Sequence, residues 1–565
     1  MTMPEAFAEI AFIKDATDGS PLWRDVSDDV EWWKGVRISR RRSHELDEVQ
    51  PGTLSLALTN EDGRYTAGNT ASPYYPNVRI NRPIRIRARW PLSANRLLYH
   101  QARGMLTNPV TGSVLWSAEQ GTLAEDLAVF PPGQTSSVRW ATGTLSSTGR
   151  QLRIGAAAAT TATSWGLHVD AGSAYTFSCQ IRRNASLALS VSARLRWYDA
   201  AGAFLSESAG TARALTTAFQ SLTVTATAPA AAVWARVVVA NTTTTTGTVS
   251  VYVSAAQFEQ AASAAAWTSP GLEYIRYTGF VDKWPHAWDN GVLGVVSLTA
   301  TDRMKLLGRQ SLGAVPLTDN QLSGARAEAL LAAAGATPAI IDTGVSLLGL
   351  TGNEATQKIL QLLRQVATSE AGLFFIGRDG IAVFHDRGRR QRPSSVVLTV
   401  EADQCGDGLN FLVDDALLIN DATVVDAAGG VASATDSASI DEYGQYSGRL
   451  ETNLIPAEIA DRAQYLLFRY KEPAPRASQI TIEARSQPAL WPALLDSEIG
   501  QRIQVTNLPA NAPTGTLDLW IEGVQDVITD ETWSFTIDPS PASTTVAFIL
   551  DDPLYGLLDH NVLGW

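Results

Sequence analysis

The chain has 565 residues, of which 45% are hydrophobic and 18% charged, and its 44 basic and 57 acidic side chains give a net charge of −13. This composition excludes a largely disordered chain, and the length predicts roughly three to five domains. The acidic balance argues against stable nucleic-acid binding, and two cysteines, Cys179 and Cys405, exclude a disulfide framework or a cysteine-based zinc site.

The N-terminal residues contain no basic segment ahead of an apolar stretch, and the sequence has no run of about 18 apolar residues. We therefore expect neither a signal peptide nor a membrane span, and a protein made in a cytoplasm. Sixteen tryptophans against four methionines, with abundant Thr and Val, favour half-buried pleated surfaces. The chain is therefore predicted to be mainly β.

Residues 36–89 show short β segments separated by turns. Leu54, Leu56 and Leu58 alternate with small residues, and a tight Asn-Glu-Asp-Gly turn follows. Further on, Ile84 and Ile86 alternate with arginine, which predicts a strand with one apolar and one basic face. The arginines of this segment are Arg79, Arg82, Arg85, Arg87 and Arg89.

Residues 136–270 differ in composition from their surroundings: they are rich in Ala and Thr, poor in Lys, and contain a threonine run at 242–246. A hairpin turn is predicted at residues 199–202. Short strands with a turn about every ten residues are typical of a β-sandwich. The strands are predicted at residues 175–178, 187–198, 222–227, 233–239 and 249–253.

After residue 270 the first pattern resumes, with a helical turn predicted at 302–307. Two amphipathic helices follow, one over residues 353–370 with Gly372 just beyond its end, and one from Pro456 that Pro473 stops. Strands are predicted at residues 274–281, 292–300, 373–376, 381–384, 479–484, 502–505 and 518–528.

The segments on either side of the Ala/Thr-rich stretch resemble two halves of one interrupted domain. The first half contains the motifs GTLSLALTNEDGRY (52–65), SPYYP (72–76) and RPIRI (82–86), and the second contains YTGFVD (277–282) and VSLTATDR (296–303). The C-terminal motifs GRDG (377–380), FHDR (384–387), IGQRI (499–503), IEGV (521–524) and LDD (550–552) follow in order. In this order the motifs resemble those of minor tail proteins, the tail-tip or baseplate-hub family of long-tailed, siphovirus-like phages of actinobacteria.

The resemblance implies a structural virion component at the distal end of the tail, synthesised in the host cytoplasm. Such a protein closes the distal tail and connects the tail tube to host-contacting proteins. The implied partners are further copies of the chain in a ring, a trimer in preference to a hexamer, and the distal tail, tape measure and receptor-binding proteins. The alternatives are a distal-tail ring protein and a carbohydrate-binding host-adhesion protein.

The five arginines then have three interpretations: salt bridges to acidic patches of neighbouring subunits, a solvated face, or the lining of a channel for DNA. We favour the subunit interface, because the protein is acidic overall. Strong phosphate contacts would stall DNA passage. Reversing Arg85 and Arg87 to Glu is expected to impair ring assembly while the monomer still folds, since the apolar face is untouched.

The Ala/Thr-rich segment has a resemblance of its own. Its motifs VDAGSAYTFS (169–178), LRWYDAAG (195–202), ATAP (226–229) and AQFEQ (256–260) resemble those of a carbohydrate-binding-module jelly roll. Candidate contacts to a host cell-surface glycan are Trp165, Trp197, Trp234 and Trp267, although core packing is the commoner role of such residues. Calcium is the one cofactor considered, with Asp170 and Glu259 as oxygen donors, but no dense acidic loop marks a site.

We expect the protein not to be an enzyme. The six histidines are scattered, and neither an H-E-x-x-H nor a G-x-S-x-G motif occurs. His385 and Asp386 are adjacent on a predicted strand and would therefore point to opposite faces. The chain ends soon after the late β segment, which leaves no room for the lysozyme or peptidase that some hub proteins carry.

The predicted architecture is multidomain and mainly β with some helices (α+β), a split β-domain interrupted by a jelly roll. Because domain insertion requires neighbouring attachment points, the two ends of the insert should lie close together. The predicted domains are residues 1–135 with 271–310 for the split hub-like β-domain, 136–270 for the jelly roll, 311–475 for a middle α+β domain, and 476–565 for a C-terminal β-domain and tail.

Overall fold

The structure is a computed structural model that describes residues 3–14, 21–107, 114–142, 145, 147–155, 166–184, 187–199, 202–289, 291, 293–391, 395–406, 409–473, 476–477, 479–512 and 514–542. The chain forms two compact units. The split unit comprises Met1–Met3, Val26–Ile86 and Ile275–Trp565, and the sandwich unit comprises Pro4–Asp25 and Arg87–Tyr274. In the part of the chain that is described, no helix is long and apolar enough to cross a membrane.

Most of the secondary structure is β. The strands up to residue 301 are β1 (Glu5–Lys14), β2 (Pro21–Asp25), β3 (Val36–Arg41), β4 (Thr53–Thr59), β5 (Pro83–Trp90), β6 (Trp116–Ala118), β7 (Thr122–Asp126), β8 (Ser137–Ala141), β9 (Gln151–Ile154), β10 (Leu167–His168), β11 (Ala174–Arg183), β12 (Ser190–Tyr198), β13 (Phe204–Ala209), β14 (Arg213–Ala214), β15 (Gln220–Thr227), β16 (Trp234–Asn241), β17 (Ser250–Glu259), β18 (Leu272–Lys283), β19 (His286–Asp289) and β20 (Leu293–Thr301).

The later strands are β21 (Gln321–Leu322), β22 (Ala339–Ile341), β23 (Leu347–Leu348), β24 (Leu373–Ile376), β25 (Ala382–His385), β26 (Val396–Glu401), β27 (Phe411–Leu412), β28 (Asp421–Val425), β29 (Val431–Thr435), β30 (Ser447–Glu451), β31 (Arg476–Ala477), β32 (Ile480–Glu483), β33 (Arg502–Thr506), β34 (Leu517–Ile528) and β35 (Trp533–Pro541). The α-helices of the described residues are α1 (Tyr99–Ala102), α2 (Met304–Leu307), α3 (Ser323–Ala333), α4 (Ile359–Glu370), α5 (Gly388–Gln391), α6 (Ser437–Tyr443), α7 (Ile459–Tyr470) and α8 (Trp491–Asp496).

The predicted fold class is confirmed: the chain is multidomain and mainly β with some helices. Both predicted amphipathic helices are present as α4 and α7. Helix α4 starts later than predicted because Glu354–Thr356 forms a separate 3-10 turn and Lys358 is extended. It ends at Glu370 and is capped by Ala371, whose left-handed backbone (φ 57°) takes the role expected of Gly372.

The sandwich unit contains a seven-stranded and a five-stranded sheet. The first has the order β13-β12-β16-β9-β6, with β10 beside β16 and β14 beside β12, and the second has the order β15-β11-β17-β8-β7. Inward side chains of both sheets form the core, among them the fully buried Trp140, Tyr175, Phe177, Trp197 and Phe258.

The sandwich starts earlier in the sequence than residue 136, the predicted boundary. Strands β6 and β7 precede that residue, yet they pair with β9 and β8 inside the two sheets. The chain enters and leaves this region at neighbouring points, since a Cβ atom built on Gly271 would lie 2.2 Å from the carbonyl oxygen of Pro91. The composition change thus marks only part of the insert.

The central sheet of the split unit has the order β20-β4-β3-β34-β33-β26. The residues of β18 from Ile275 onward lie beside β20, which also carries β19, while β35 lies beside β34 and β32 beside β35. Strands β4 and β20, from opposite sides of the insert in sequence, pair over the whole length of β4, with Leu56 opposite Leu298 and Leu54 opposite Ala300. The two motif-bearing halves therefore form one sheet.

The C-terminal strands complete this sheet instead of forming a domain of their own. Strand β34 pairs with β3 over six positions, from Val36 opposite Ile528 to Arg41 opposite Gly523. Helices α3 and α4 pack against each other and α7 packs on β28 and β29, and these contacts continue the apolar core of the same unit.

Candidate functional site

Strand β5 carries the predicted basic face. Ile84, Ile86 and Ala88 are fully buried, whereas Arg85 and Arg87 are half-buried, so the two-residue alternation is present as predicted. Arg89, at the end of the row, is buried.

Arg87 is held between two carboxylates of its own chain. Its guanidinium donates to both oxygens of Glu9 on β1, at 3.1 and 3.3 Å, and to Glu273 at the start of β18. Burial by itself would lower the pKa of Arg87, but Glu273 and Glu9 raise the pKa above its ordinary value. The charged form of Arg87 is therefore stabilised inside the sandwich unit.

Phe7 of β1 lies beside two of these arginines. The guanidinium carbons of Arg87 and Arg89 are 4.4 and 5.0 Å from the centre of its ring, within the range of cation–π attraction. Arg89 also forms an ion pair with Glu5, with a Nη2–Oε2 distance of 3.0 Å. The basic end of β5 is thus matched by an acidic and aromatic face of β1.

Arg79 and Arg82 donate hydrogen bonds to a turn of the split unit. Arg79 is exposed and donates to the carbonyl oxygen of Pro76, while Arg82 donates to the carbonyl and side-chain oxygens of Asn77. Burial, followed by the charge of Arg79, lowers the pKa of Arg82. Arg79, Arg82, Arg87 and Arg89 therefore have different local roles, and the predicted subunit interface stays a prediction.

The sequence patterns described above did not predict the carboxylate partners of Arg87 and Arg89. Their signal is the period-two order of Glu5, Phe7 and Glu9 within the first ten residues, which places all three on one face of β1. No comparable local pattern predicts Glu273, because its position beside Arg87 depends on the path of the chain after the last sandwich strand.

Trp197 and Trp234, two of the tryptophans considered for glycan contact, lie on opposite faces of one sheet. Trp197 is fully buried in the sandwich core and donates from Nε1 to Ser208. Trp234 lies opposite Tyr198 on the neighbouring strand, hence on the other face of the sheet from Trp197. The two rings therefore cannot stack on the same sugar, and glycan contact at these tryptophans stays a prediction.

Two further tryptophans have different positions. Trp267 is half-buried and donates to the carbonyl oxygen of Ala256 at 3.3 Å, and Trp165 lies outside the described residues. Trp234 is covered by its own unit, with the Arg24 guanidinium 5.2 Å above its ring and the His168 ring against its edge. Stacking of a ligand on Trp234 would require Arg24 to move.

The oxygen donors considered for calcium have protein partners. Asp170 accepts a hydrogen bond from the hydroxyl of Tyr175, and buried Glu259 accepts from Gln257 and from the backbone N–H of Ala265. Among the described residues, no group of three or more His, Cys, Asp or Glu side chains is placed to hold a metal ion.

Buried ion pairs cross the sheet of the split unit. Arg276 of β18 pairs with Asp526 of β34, and Arg42 pairs with Glu522 of the same strand at 2.6 Å. Burial would raise the pKa of Glu522, but Arg390 and Arg42 lower it to about 2. These pairs fix the register of segments that are far apart in sequence.

A cavity of about 450 Å³ opens on this sheet between β3, β4, β20 and β34. Its lining is rich in hydroxyl and amide groups, and its carboxylates have partners: Asp282 pairs with Lys305, and Asp526 with Arg276. The cavity therefore offers hydrogen-bonding groups, with Arg37 as an exposed cation at its edge.

His385 of the split unit is half-buried. Its ring packs against Phe375 at 5.3 Å, while Asp386 accepts from the backbone N–H of Arg389. Burial, followed by the charge of Arg389, lowers the pKa of His385 to about 4. A neutral imidazole that packs against phenylalanine contributes to the packing of the fold.

No family model and no curated protein matches the sequence. Among solved structures, the chain is similar to the 43 kDa tail protein of prophage MuSo2 from Shewanella oneidensis, with 17% identity, a TM-score of 0.33, and coverage of 48% of this chain and 81% of that one. The tail protein from Neisseria meningitidis MC58 gives 16% identity and a TM-score of 0.36, with the same coverage. The CBM22-1 xylan-binding domain of Paenibacillus barcinonensis Xyn10C gives 14% identity and a TM-score of 0.21 over 29% of this chain and 93% of that domain. TM-scores at this level do not establish a shared function.

Proposed function

We propose that this chain is a structural, non-enzymatic component of a phage tail, a hub-like minor tail protein at the distal tip of the virion. The observation that carries the proposal is the pairing of β4 with β20. Their motifs are the ones that resemble the two halves of the minor tail protein domain, and the sandwich lies between them in sequence.

The proposed role is to close the distal tail and to connect the tail tube to host-contacting proteins. A connector of this kind needs a rigid frame, and buried ion pairs such as Arg276 with Asp526 hold distant strands in one register. The proposed partners are copies of the same chain in a closed ring, three in preference to six, together with distal tail, tape measure and receptor-binding proteins.

Two measurements test the proposal. Antibodies against the purified chain should label the distal end of tails in electron micrographs of virions that carry the gene, and light scattering should give the mass of a trimer. Virions without label would overturn the structural role, and label along the whole tail would overturn the distal position. The mass of six copies would favour a distal-tail ring.

A further inference from the structure

The outer face of the seven-stranded sheet of the sandwich unit is unusually basic for so acidic a chain. The face turned away from the core carries Arg153 on β9, Arg194 and Arg196 on β12, and Arg236 on β16. Neighbouring strands are about 5 Å apart. Arg194 and Arg153 lie on either side of Val238 of β16 and are therefore two strand spacings apart.

Two of these arginines directly oppose each other. Arg196 and Arg236 are cross-strand partners in the register of β12 and β16, an arrangement in which like charges destabilise a sheet. Burial, followed by the charges of Arg153 and Arg196, lowers the pKa of Arg236 to about 10. An anion bound at this face would therefore lie close to more than one guanidinium group.

Two glutamates of the described part of the chain form ion pairs with arginines at this face. Glu207 accepts from Arg194 at 2.7 Å and from Arg196 at 2.6 Å, and Glu119 lies 3.6 Å from both Arg150 and Arg153. Four arginines therefore share two carboxylates. The side chains of Arg153, Arg194 and Arg196 keep 14%, 20% and 25% of their surface exposed, so a ligand can reach them.

An exposed aromatic ring borders the basic face. Phe204 at the start of β13 is 57% exposed, and its ring meets that of Tyr198 edge-on at 5.8 Å. Tyr198 is two residues from Arg196 and so shares its face of the sheet. An apolar ring beside guanidinium groups matches a sugar unit, which presents an apolar face together with charged substituents.

We propose that this face binds an anionic polysaccharide, a polymer whose sugar units carry carboxylate or phosphate groups. Arg153, Arg194 and Arg196 make the direct contacts, Arg236 adds charge from beneath, and Phe204 packs against a sugar ring. Guanidinium groups bind both carboxylate and phosphate in a two-point geometry, so the shared chemistry is a repeating anion on a carbohydrate. The inference does not depend on a position in the tail.

The test is biolayer interferometry of the full chain against immobilised polygalacturonate and phosphomannan, with neutral dextran and an oligo-dT strand as comparisons. Wild type should bind at least one of the two anionic polymers, more weakly as salt rises, and dextran should give no signal. Arg196→Gln should weaken binding about tenfold, the loss expected for one charge-assisted contact. Arg139→Gln is the matched control, since Arg139 is exposed on the outer face of the other sheet.

A second variant separates ligand binding from a purely structural effect. Glu207→Gln removes the carboxylate that occupies Arg194 and Arg196 and should therefore strengthen binding, opposite in sign to Arg196→Gln. The proposal is overturned if neither anionic polymer binds, if dextran binds as well, if Arg139→Gln weakens binding as much as Arg196→Gln, or if Glu207→Gln weakens binding. Tighter binding of oligo-dT than of both polysaccharides would make the ligand a nucleic acid and would also overturn it.

Discussion

Arg276 and Asp526 form a two-point ion pair inside the split unit, with Nε–Oδ2 and Nη2–Oδ1 distances of 3.0 and 3.1 Å. Arg276 also donates to the carbonyl oxygens of Leu494 and Leu495, at the end of α8. Both charged side chains are almost completely buried. The strand that follows the insert is thereby tied to the C-terminal strands by groups that cannot exchange their partners for water.

Removal of this arginine should be severely destabilising. Arg276→Met leaves the Asp526 carboxylate buried without its counter-charge, and breaking such a pair costs about 3–5 kcal/mol of the free energy of unfolding. Urea denaturation followed by far-UV dichroism measures the change. Arg449→Met, which breaks the exposed pair with Glu451, should leave the midpoint almost unchanged. Equal losses in the two variants would contradict the assigned role of the buried pair.

Asp302 should make stability depend on pH. Burial raises the pKa of its carboxyl to about 7, although hydrogen bonds from the backbone N–H groups of Gly52 and Met304 oppose the shift. Because the folded state binds this proton more tightly than the unfolded state, the contribution is fully present below about pH 4 and is lost as pH rises through 7.

Comparison with Asp302→Asn isolates this contribution. The amide oxygen of asparagine still accepts a backbone hydrogen bond but does not titrate. Between pH 4.5 and pH 8 the urea midpoint of wild type should therefore fall relative to that of the variant. A constant difference between the two proteins across this range would show that Asp302 has an ordinary pKa.

Charge reversal of Arg87 should affect folding itself. Arg87→Glu places a third carboxylate between Glu9 and Glu273 and should cost about 3 kcal/mol. That the monomer still folds after reversal of Arg85 and Arg87 stays a prediction, with lower stability expected from the Arg87 change. Thermal unfolding measures the effect. Arg79→Glu is the control, because Arg79 is exposed and its guanidinium donates to the backbone carbonyl of Pro76. Similar melting temperatures for wild type and Arg87→Glu would contradict the pairing.

The adjacency of Pro91 and Gly271 predicts where the chain can be shortened. Replacement of residues 92–270 by a Gly/Ser linker of about four residues should leave a chain that unfolds cooperatively, since the two attachment points touch. Replacement of residues 136–270 leaves β6 and β7 without their partner strands and should produce an aggregating chain. Size-exclusion chromatography and calorimetry distinguish the two, and the opposite ranking would contradict the boundaries described.

The sequence by itself determined the local structure. The period of two around Ile84 and Ile86 predicted β5, and the apolar stripes of the two amphipathic helices predicted α4 and α7, although α4 begins six residues later than predicted. The motifs on either side of the insert also predicted that its neighbours form one domain. These features can be predicted from the sequence because strand alternation, helix periodicity and turn chemistry depend on residues that are close in sequence.

Only the tertiary structure decided which distant residues meet. The pairing of β3 with β34, the position of Arg87 between Glu9 and Glu273, and the burial of Trp197 depend on contacts between remote segments. The local sequence around a tryptophan in an alternating strand is the same whether its face of the sheet is buried or exposed to solvent. An arginine likewise carries no local signal of which carboxylate the folded chain brings to it, because an ion pair is formed by proximity in space and not by spacing in sequence.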